Sequence, residues 1–131
     1  MLGLASFLLG HLCYIVSMLR HGTDRLGVTL GLLLALTILL AFGFQVILGA
    51  VHGAGPSLAV AVAVYIAALG SMLVLGIGTS SLWIAYGAIA FVASDLTLGS
   101  ARFIAPKRWS QLMVVITYHV AQLLLLIGLV T

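Results

Sequence analysis

Charged residues are scarce in this sequence. Only 5% of its 131 residues are Asp, Glu, Lys or Arg, whereas 64% are hydrophobic. Soluble domains average about 25% charged and about 45–50% apolar residues. Five basic and two acidic side chains cannot cover the surface of a soluble protein of this size. This scarcity excludes a soluble enzyme, a disordered chain and a coiled coil.

The sequence also lacks the residues that several other classes of protein require. Its single cysteine, Cys13, excludes an intrachain disulfide. Its only lysine, Lys107, falls in a predicted loop, which excludes a retinal protein because retinal needs a lysine within a span. GxSxG, HExxH and Walker motifs are absent.

Long apolar runs are what the sequence has instead. Each membrane-spanning helix needs about 20 apolar residues, so the length accommodates five spans with short loops. The prediction is an all-α, polytopic membrane helix bundle that forms one transmembrane domain over residues 1–131. The predicted spans are approximately 2–19, 26–48, 57–76, 82–98 and 111–130.

Two features refine this prediction. Glycine and proline between residues 49 and 56 predict a loop after the second span. In the third span, small residues recur every fourth position and should let a neighbouring helix approach closely. They are Ala59, Ala63, Ala67 and Ser71.

The net charge of +3 has an interfacial explanation. All five cations lie near predicted span ends, where lipid headgroups and topology account for them. We therefore expect a lipid bilayer as partner and no nucleic acid. The two basic loops fall on opposite sides of the membrane, so the charges do not fix the orientation. The cations are Arg20, Arg25, Arg102, Lys107 and Arg108.

Asp95 is the most informative residue for function. It lies towards the end of the apolar run 82–98, and ionisable residues within spans usually face a polar cavity or a partner. A carboxyl in apolar surroundings can keep a proton for catalysis near neutral pH. The alternative is a structural ion pair with Arg102, which lies seven residues on and on the same helix face.

Two polar stripes accompany this aspartate. Gln111, Tyr118 and Gln122 share one face of the last predicted helix, and His11 and Tyr14 share one face of the first. Interhelical hydrogen bonds and a satisfied bundle histidine are the structural alternatives. Together with the intramembrane aspartate, the stripes favour one shared polar cavity, in which the aspartate approaches Tyr118 and Gln122.

The polar residues do not form a known metal or nucleophile motif. His11, His119 and Asp95 lack the spacing of a zinc site, which needs three or four clustered ligands. A triad of Ser94, His119 and Asp95 is disfavoured because adjacent helical residues point in different directions. We therefore expect no metal site.

Three segments resemble motifs of the YhhN family, the lysoplasmalogenase family of membrane proteins. Residues 86–98 read YGAIAFVASDLTL and resemble its GA-x-x-F-x-x-SD signature. Residues 117–123 read TYHVAQL and resemble TYY-x-AQ-x-L, with His119 in place of a tyrosine. Residues 3–14 resemble the F-x-x-x-H-x-x-Y helix. The motifs occur in the family's order and span most of the chain.

This resemblance implies hydrolysis of the vinyl-ether bond of lysoplasmalogens, a class of lysophospholipid. The products are a fatty aldehyde and glycerophosphoethanolamine or glycerophosphocholine. The reaction needs a general acid and a second carboxylate that stabilises the cation or orients water, but no cofactor. The resemblance implies that Asp95 is catalytic and fills one of these two roles. It assigns contacts with the substrate to a wider set: His11, Tyr14, Ser94, Arg102, Tyr118 and Gln122.

The family's GD motif lies in a helix before the F-x-x-x-H-x-x-Y helix, and its aspartate has no counterpart in this chain. The chain thus resembles the C-terminal part of a family member, and the resemblance implies that missing N-terminal helices or a homo-oligomer complete it. Two further hypotheses remain open. One is a truncated, non-catalytic lipid-binding or assembly protein; the other is a small proton-coupled transporter that uses Asp95.

Overall fold

The computed structural model describes residues 2–131 apart from the side chain of Leu4, and these residues form five helices with no strand. Four of them, α2 to α5, are long and apolar enough to cross a membrane. The predicted all-α bundle is confirmed. The helices are α1 (Leu2–His21), α2 (Arg25–Ala54), α3 (Pro56–Gly78), α4 (Leu82–Phe103) and α5 (Ser110–Val130).

The predicted loop at 49–56 is wrong, because α2 continues to Ala54. Only Gly55, with φ of 88°, breaks the helix before Pro56 begins α3. Gly49 is helical and allows a close helix contact: a Cβ there would lie 2.2 Å from the carbonyl oxygen of Phe103. Within α2, residues Leu39–Gly43 form a π-helical turn.

The α1–α2 connection is fixed by Asp24. Its carboxylate accepts hydrogen bonds from the backbone N–H groups of Leu26 (3.1 Å) and Gly27 (2.9 Å). Such N-caps contribute about 0.5–2 kcal/mol. The N–H of Asp24 also donates to the carbonyl of Gly78 at 2.7 Å. Asp24 therefore joins the start of α2 to the end of α3.

Helix α4 ends at Phe103, five residues beyond the predicted end. Asp95 consequently lies in the interior of α4 and not near its end, and Arg102 lies within the last helical turn. The following connection is bound to α4 by the N–H of Ala105, which donates to the carbonyl of Ser100 at 2.9 Å.

Glycines create the closest helix contacts. Gly27 and Gly31 bring α2 against α3: a Cβ on Gly31 would lie 2.8 Å from the Cα of Val74. Gly128 does the same between α5 and α4, where a Cβ would lie 2.8 Å from the backbone nitrogen of Ile84. Small residues that admit a neighbouring backbone are typical of membrane helix packing.

The prediction that α3 packs most closely through its small-residue repeat is wrong. Ala59 is buried, but Ala67 and Ser71 are exposed. Repeat spacing alone identified a face of α3, whereas the closest contacts depend on glycines in its partner helix. The core of the bundle is formed by large apolar side chains. The largest of those that are fully buried belong to Met18, Met72, Leu73, Ile84 and Leu125.

Candidate active site

Asp95 is held by residues from two other helices. Its side chain is buried, and its Oδ2 accepts a hydrogen bond from the hydroxyl of Tyr65 on α3. The Nε2 of His11 on α1 lies 3.6 Å from the same oxygen. A carboxyl group, an imidazole and a phenol thus meet in the interior of the bundle.

The hydrogen bonds of His11 indicate which of its two ring nitrogens carries the hydrogen. Its Nδ1 lies 2.7 Å from the carbonyl oxygen of Phe7, and because a carbonyl only accepts, this nitrogen carries the hydrogen. The buried Nε2 has no hydrogen-bond partner among residues 2–131. It faces Oδ2 of Asp95 across a gap of 3.6 Å, which is longer than a hydrogen bond.

Aromatic rings enclose the His11 imidazole. The ring of Phe91 packs edge-on against it at a centroid distance of 4.9 Å, and the ring of Tyr65 does so at 5.1 Å. His11 is 1% exposed. These contacts fix the orientation of the imidazole and keep solvent away from the nitrogen that faces Asp95.

The predicted meeting of Asp95 with Tyr118 and Gln122 is not what the structure shows. Gln122 instead accepts a hydrogen bond from the hydroxyl of Tyr14. Tyr118 packs on Phe91 at 5.5 Å. Because α1 contributes His11 to one group and Tyr14 to the other, two polar groups form where the sequence predicted one.

Two further predicted residues lie apart from the Asp95 group. The hydroxyl of buried Ser94 donates to the backbone carbonyl of Val114 at 3.1 Å, which joins α4 to α5. Arg102 is exposed, and no ion pair joins it to Asp95 within residues 2–131. The alternative of a structural Asp95–Arg102 ion pair is therefore wrong.

Asp95 and Tyr65 open onto a large apolar cavity of about 1090 Å³ between α2, α3 and α4. Its walls are mainly aliphatic, and Arg102 lines the end near the C-terminus of α4. The π-helical turn of α2 contributes Leu39 and Gly43 to the wall. The arrangement suits an apolar chain whose reacting end meets a carboxyl group.

A profile of the YhhN family matches residues 1–129. This chain belongs to the YhhN family. Proteins named lysoplasmalogenase from Mycobacterium bovis and Mycobacterium tuberculosis are 29% identical to it over 134 residues, which cover 96% of this chain. The chain spans about half, 49%, of the length of each relative. No solved structure matches it.

Sequence reasoning missed Tyr65 in this YhhN chain. Tyr65 is the only Tyr in α3 and lies between Val64 and Ile66 in a run of apolar residues. The rule that drew attention to Asp95, that a polar group within an apolar span needs a partner, applies equally to a phenol. Within residues 2–131, no three His, Cys, Asp or Glu side chains are placed to hold a metal ion.

Proposed function

We propose that this YhhN protein is a multi-pass membrane hydrolase that cleaves the vinyl-ether bond of lysoplasmalogens. The observation that carries the proposal is Asp95, a buried carboxyl on the wall of an apolar cavity. The family membership and the lysoplasmalogenase relatives support the same reaction.

The proposed first step is transfer of a proton from the Asp95 carboxyl group to the β-carbon of the vinyl ether. The double-bond electrons form the new C–H bond, and the adjacent carbon and the ether oxygen share the positive charge. The Asp95 carboxylate that remains stabilises this cation electrostatically. Water then adds to the cationic carbon and loses its proton, and the resulting hemiacetal separates into aldehyde and alcohol.

The two oxygens of the Asp95 carboxyl group have different neighbours. Oδ2 receives the Tyr65 hydroxyl and faces His11, whereas Oδ1 has no hydrogen-bond partner among residues 2–131. We assign proton delivery to Oδ1, because the Tyr65 bond to Oδ2 orients the carboxyl group. The proton that the attacking water loses can return to the Asp95 carboxylate, which restores the acid after each turnover.

The cavity determines the substrate class in this proposal. Its aliphatic walls exclude a polar substrate but accommodate a single hydrocarbon chain. Arg102 at the cavity end offers a guanidinium that binds phosphate through paired hydrogen bonds. A single-chain phospholipid satisfies both requirements.

The test is aldehyde release from lysoplasmalogen by Asp95→Asn in membranes that contain the full chain. An amide cannot protonate carbon, and general acids contribute roughly 10²–10⁴-fold to rates, so we expect a loss of at least about 100-fold. Asp24→Asn is the matched control, since Asn caps helices as well as Asp, and it should retain activity.

Activity of Asp95→Asn equal to that of the unmodified chain would contradict the role of Asp95. Failure of the unmodified chain to release aldehyde, with stabilisation by lysoplasmalogen but no turnover, would contradict hydrolysis and favour a lipid-binding protein.

A further inference from the structure

A second, shallower site lies beside the cavity. It is a groove of about 630 Å³ at the connection between α4 and α5, and we name it the basic groove. Three cationic side chains line it together with the amide of Gln111: Arg102, Lys107 and Arg108. No element of the proposed acid chemistry requires Lys107 or Arg108.

Among residues 2–131, these cations lack a carboxylate partner. The sequence contains two acidic residues, and both have other roles. Asp24 caps α2 at the opposite end of the bundle, and Asp95 is buried against Tyr65. The positive charge of the basic groove is therefore not neutralised within residues 2–131, so an external anion is the natural ligand.

The backbone of the groove is ordered by local hydrogen bonds. The hydroxyl and the N–H of Ser110 both donate to the carbonyl of Lys107, at 2.7 Å and 3.1 Å. Ser110 is itself buried. The connection that carries Lys107 and Arg108 is thus anchored to the start of α5, which keeps its cations next to Arg102.

The basic groove adjoins the apolar cavity. Leu98 and Arg102 line both spaces. A ligand with a hydrocarbon chain and an anionic group can therefore occupy the two sites at once. Of the three cations that line the groove, only Arg102 also lines the cavity.

The spacing of Asp95 and Arg102 along α4 is comparable to the length of the corresponding part of the proposed substrate. Asp95 and Arg102 lie on one face of α4 and are seven residues apart, or about 10 Å along the axis at roughly 1.5 Å per residue. In a lysoplasmalogen, seven bonds join the carbon to be protonated to phosphorus. They span about 8 Å at the extension typical of a polymer backbone.

We propose that the basic groove binds the phosphate ester of a single-chain glycerophospholipid and so sets the carbon to be protonated beside Asp95. This inference rests on the proposed function and makes it more specific: the substrate must carry a phosphate at a fixed distance from its ether. Phosphate esters of bilayer lipids have the same chemistry, and the experiment separates the two sources.

The test measures binding of a saturated 1-O-alkyl lysophosphatidylcholine to the full chain in neutral detergent, with 1-O-alkylglycerol as the phosphate-free probe. The unmodified chain should bind the phosphate probe at least about tenfold more tightly. The double variant Lys107→Gln/Arg108→Gln should lose this preference. The double variant Arg20→Gln/Arg25→Gln removes the same charge near the other end of the bundle and should retain it.

Equal affinity for the two probes in the unmodified chain would overturn the proposal. So would an undiminished preference in the groove variant, or equal losses in both double variants, which would indicate a general effect of charge. If the groove variant lost only its association with anionic vesicles, the groove would bind bilayer lipids and the proposal would be wrong. Because neither probe contains a vinyl ether, these results are independent of whether the chain hydrolyses lysoplasmalogen.

Discussion

At the scale of single residues, the site depends on how a few polar groups satisfy one another away from water. Asp95 receives a hydrogen bond from Tyr65 and lies opposite an unpartnered nitrogen of His11. An intramembrane carboxyl with too few donors would be costly. The contacts that lower the free-energy cost of burying Asp95 also orient its side chain towards the cavity.

Tyr65→Phe tests this dual role. Removing the phenol hydroxyl leaves Oδ2 of Asp95 short of one donor, and a buried acceptor left without its hydrogen bond costs about 1–3 kcal/mol. We expect a lower melting temperature in detergent and aldehyde release reduced about tenfold. Tyr86→Phe, on an exposed position of α4, is the control. Identical behaviour of the two variants would show that Tyr65 does not position Asp95.

The contacts between individual side chains were the feature that the sequence predicted least well. His11, Tyr14 and Asp95 stood out because each interrupts an apolar run. Their partners could not be read in the same way, since a helical period gives the face of a residue but not the helix opposite. The rotation of α1 that directs His11 to Asp95 and Tyr14 to Gln122 is set by packing across the whole bundle.

At the scale of helices, close approach through glycine determines which elements pack together. Gly27 and Gly31 form one small face on α2, against which the end of α3 packs. Large side chains at these positions would displace α3 and with it Tyr65. Helix packing at one end of the bundle therefore supports the geometry of the site in its interior.

Gly31→Ala tests this contact. The added Cβ would lie 2.8 Å from the Cα of Val74 and 2.9 Å from its carbonyl oxygen, and backbone cannot yield as a side chain can. Overpacking of this kind costs about 1–3 kcal/mol, so the melting temperature should fall. Gly10→Ala is the control because nothing lies within 4 Å of its Cβ position. Equal melting temperatures for the two variants would contradict the described contact.

Hydropathy predicted the helices well but their ends poorly. Glycine and proline at 49–56 indicated a loop because these residues interrupt helices in water. In this bundle Gly49 remains helical and packs against Phe103, and of the glycines between residues 49 and 56 only Gly55 adopts a positive φ. Sequence composition does not distinguish a glycine that ends a helix from one that admits a neighbouring helix.

At the scale of the whole molecule, the apolar cavity results from imperfect closure among α2, α3 and α4. Ala63, Ala67 and Ser71 line it, so the small-residue repeat of α3 makes room for a ligand more than for another helix. The cavity would have been difficult to predict from sequence, because small residues typify both tight helix contacts and vacant space.

Ala67→Trp should fill part of this cavity. We expect affinity for alkyl lysophospholipids to fall about tenfold or more, with little loss of melting temperature because the side chain enters open space. Val60→Trp provides the control: Val60 also lies on α3 but is 64% exposed and does not line the cavity. Unchanged lipid affinity in Ala67→Trp would place the hydrocarbon chain elsewhere.

The pairing of Tyr14 with Gln122 has a consequence for biosynthesis. Chains are made from the N-terminus, so His11 and Tyr65 already exist when the ribosome completes the helix that carries Asp95. Tyr14 must wait longer, because its partner Gln122 lies 108 positions later. The acid thus enters the membrane after its partners have been made, whereas the first helix gains its contact with Gln122 only after α5 has been made.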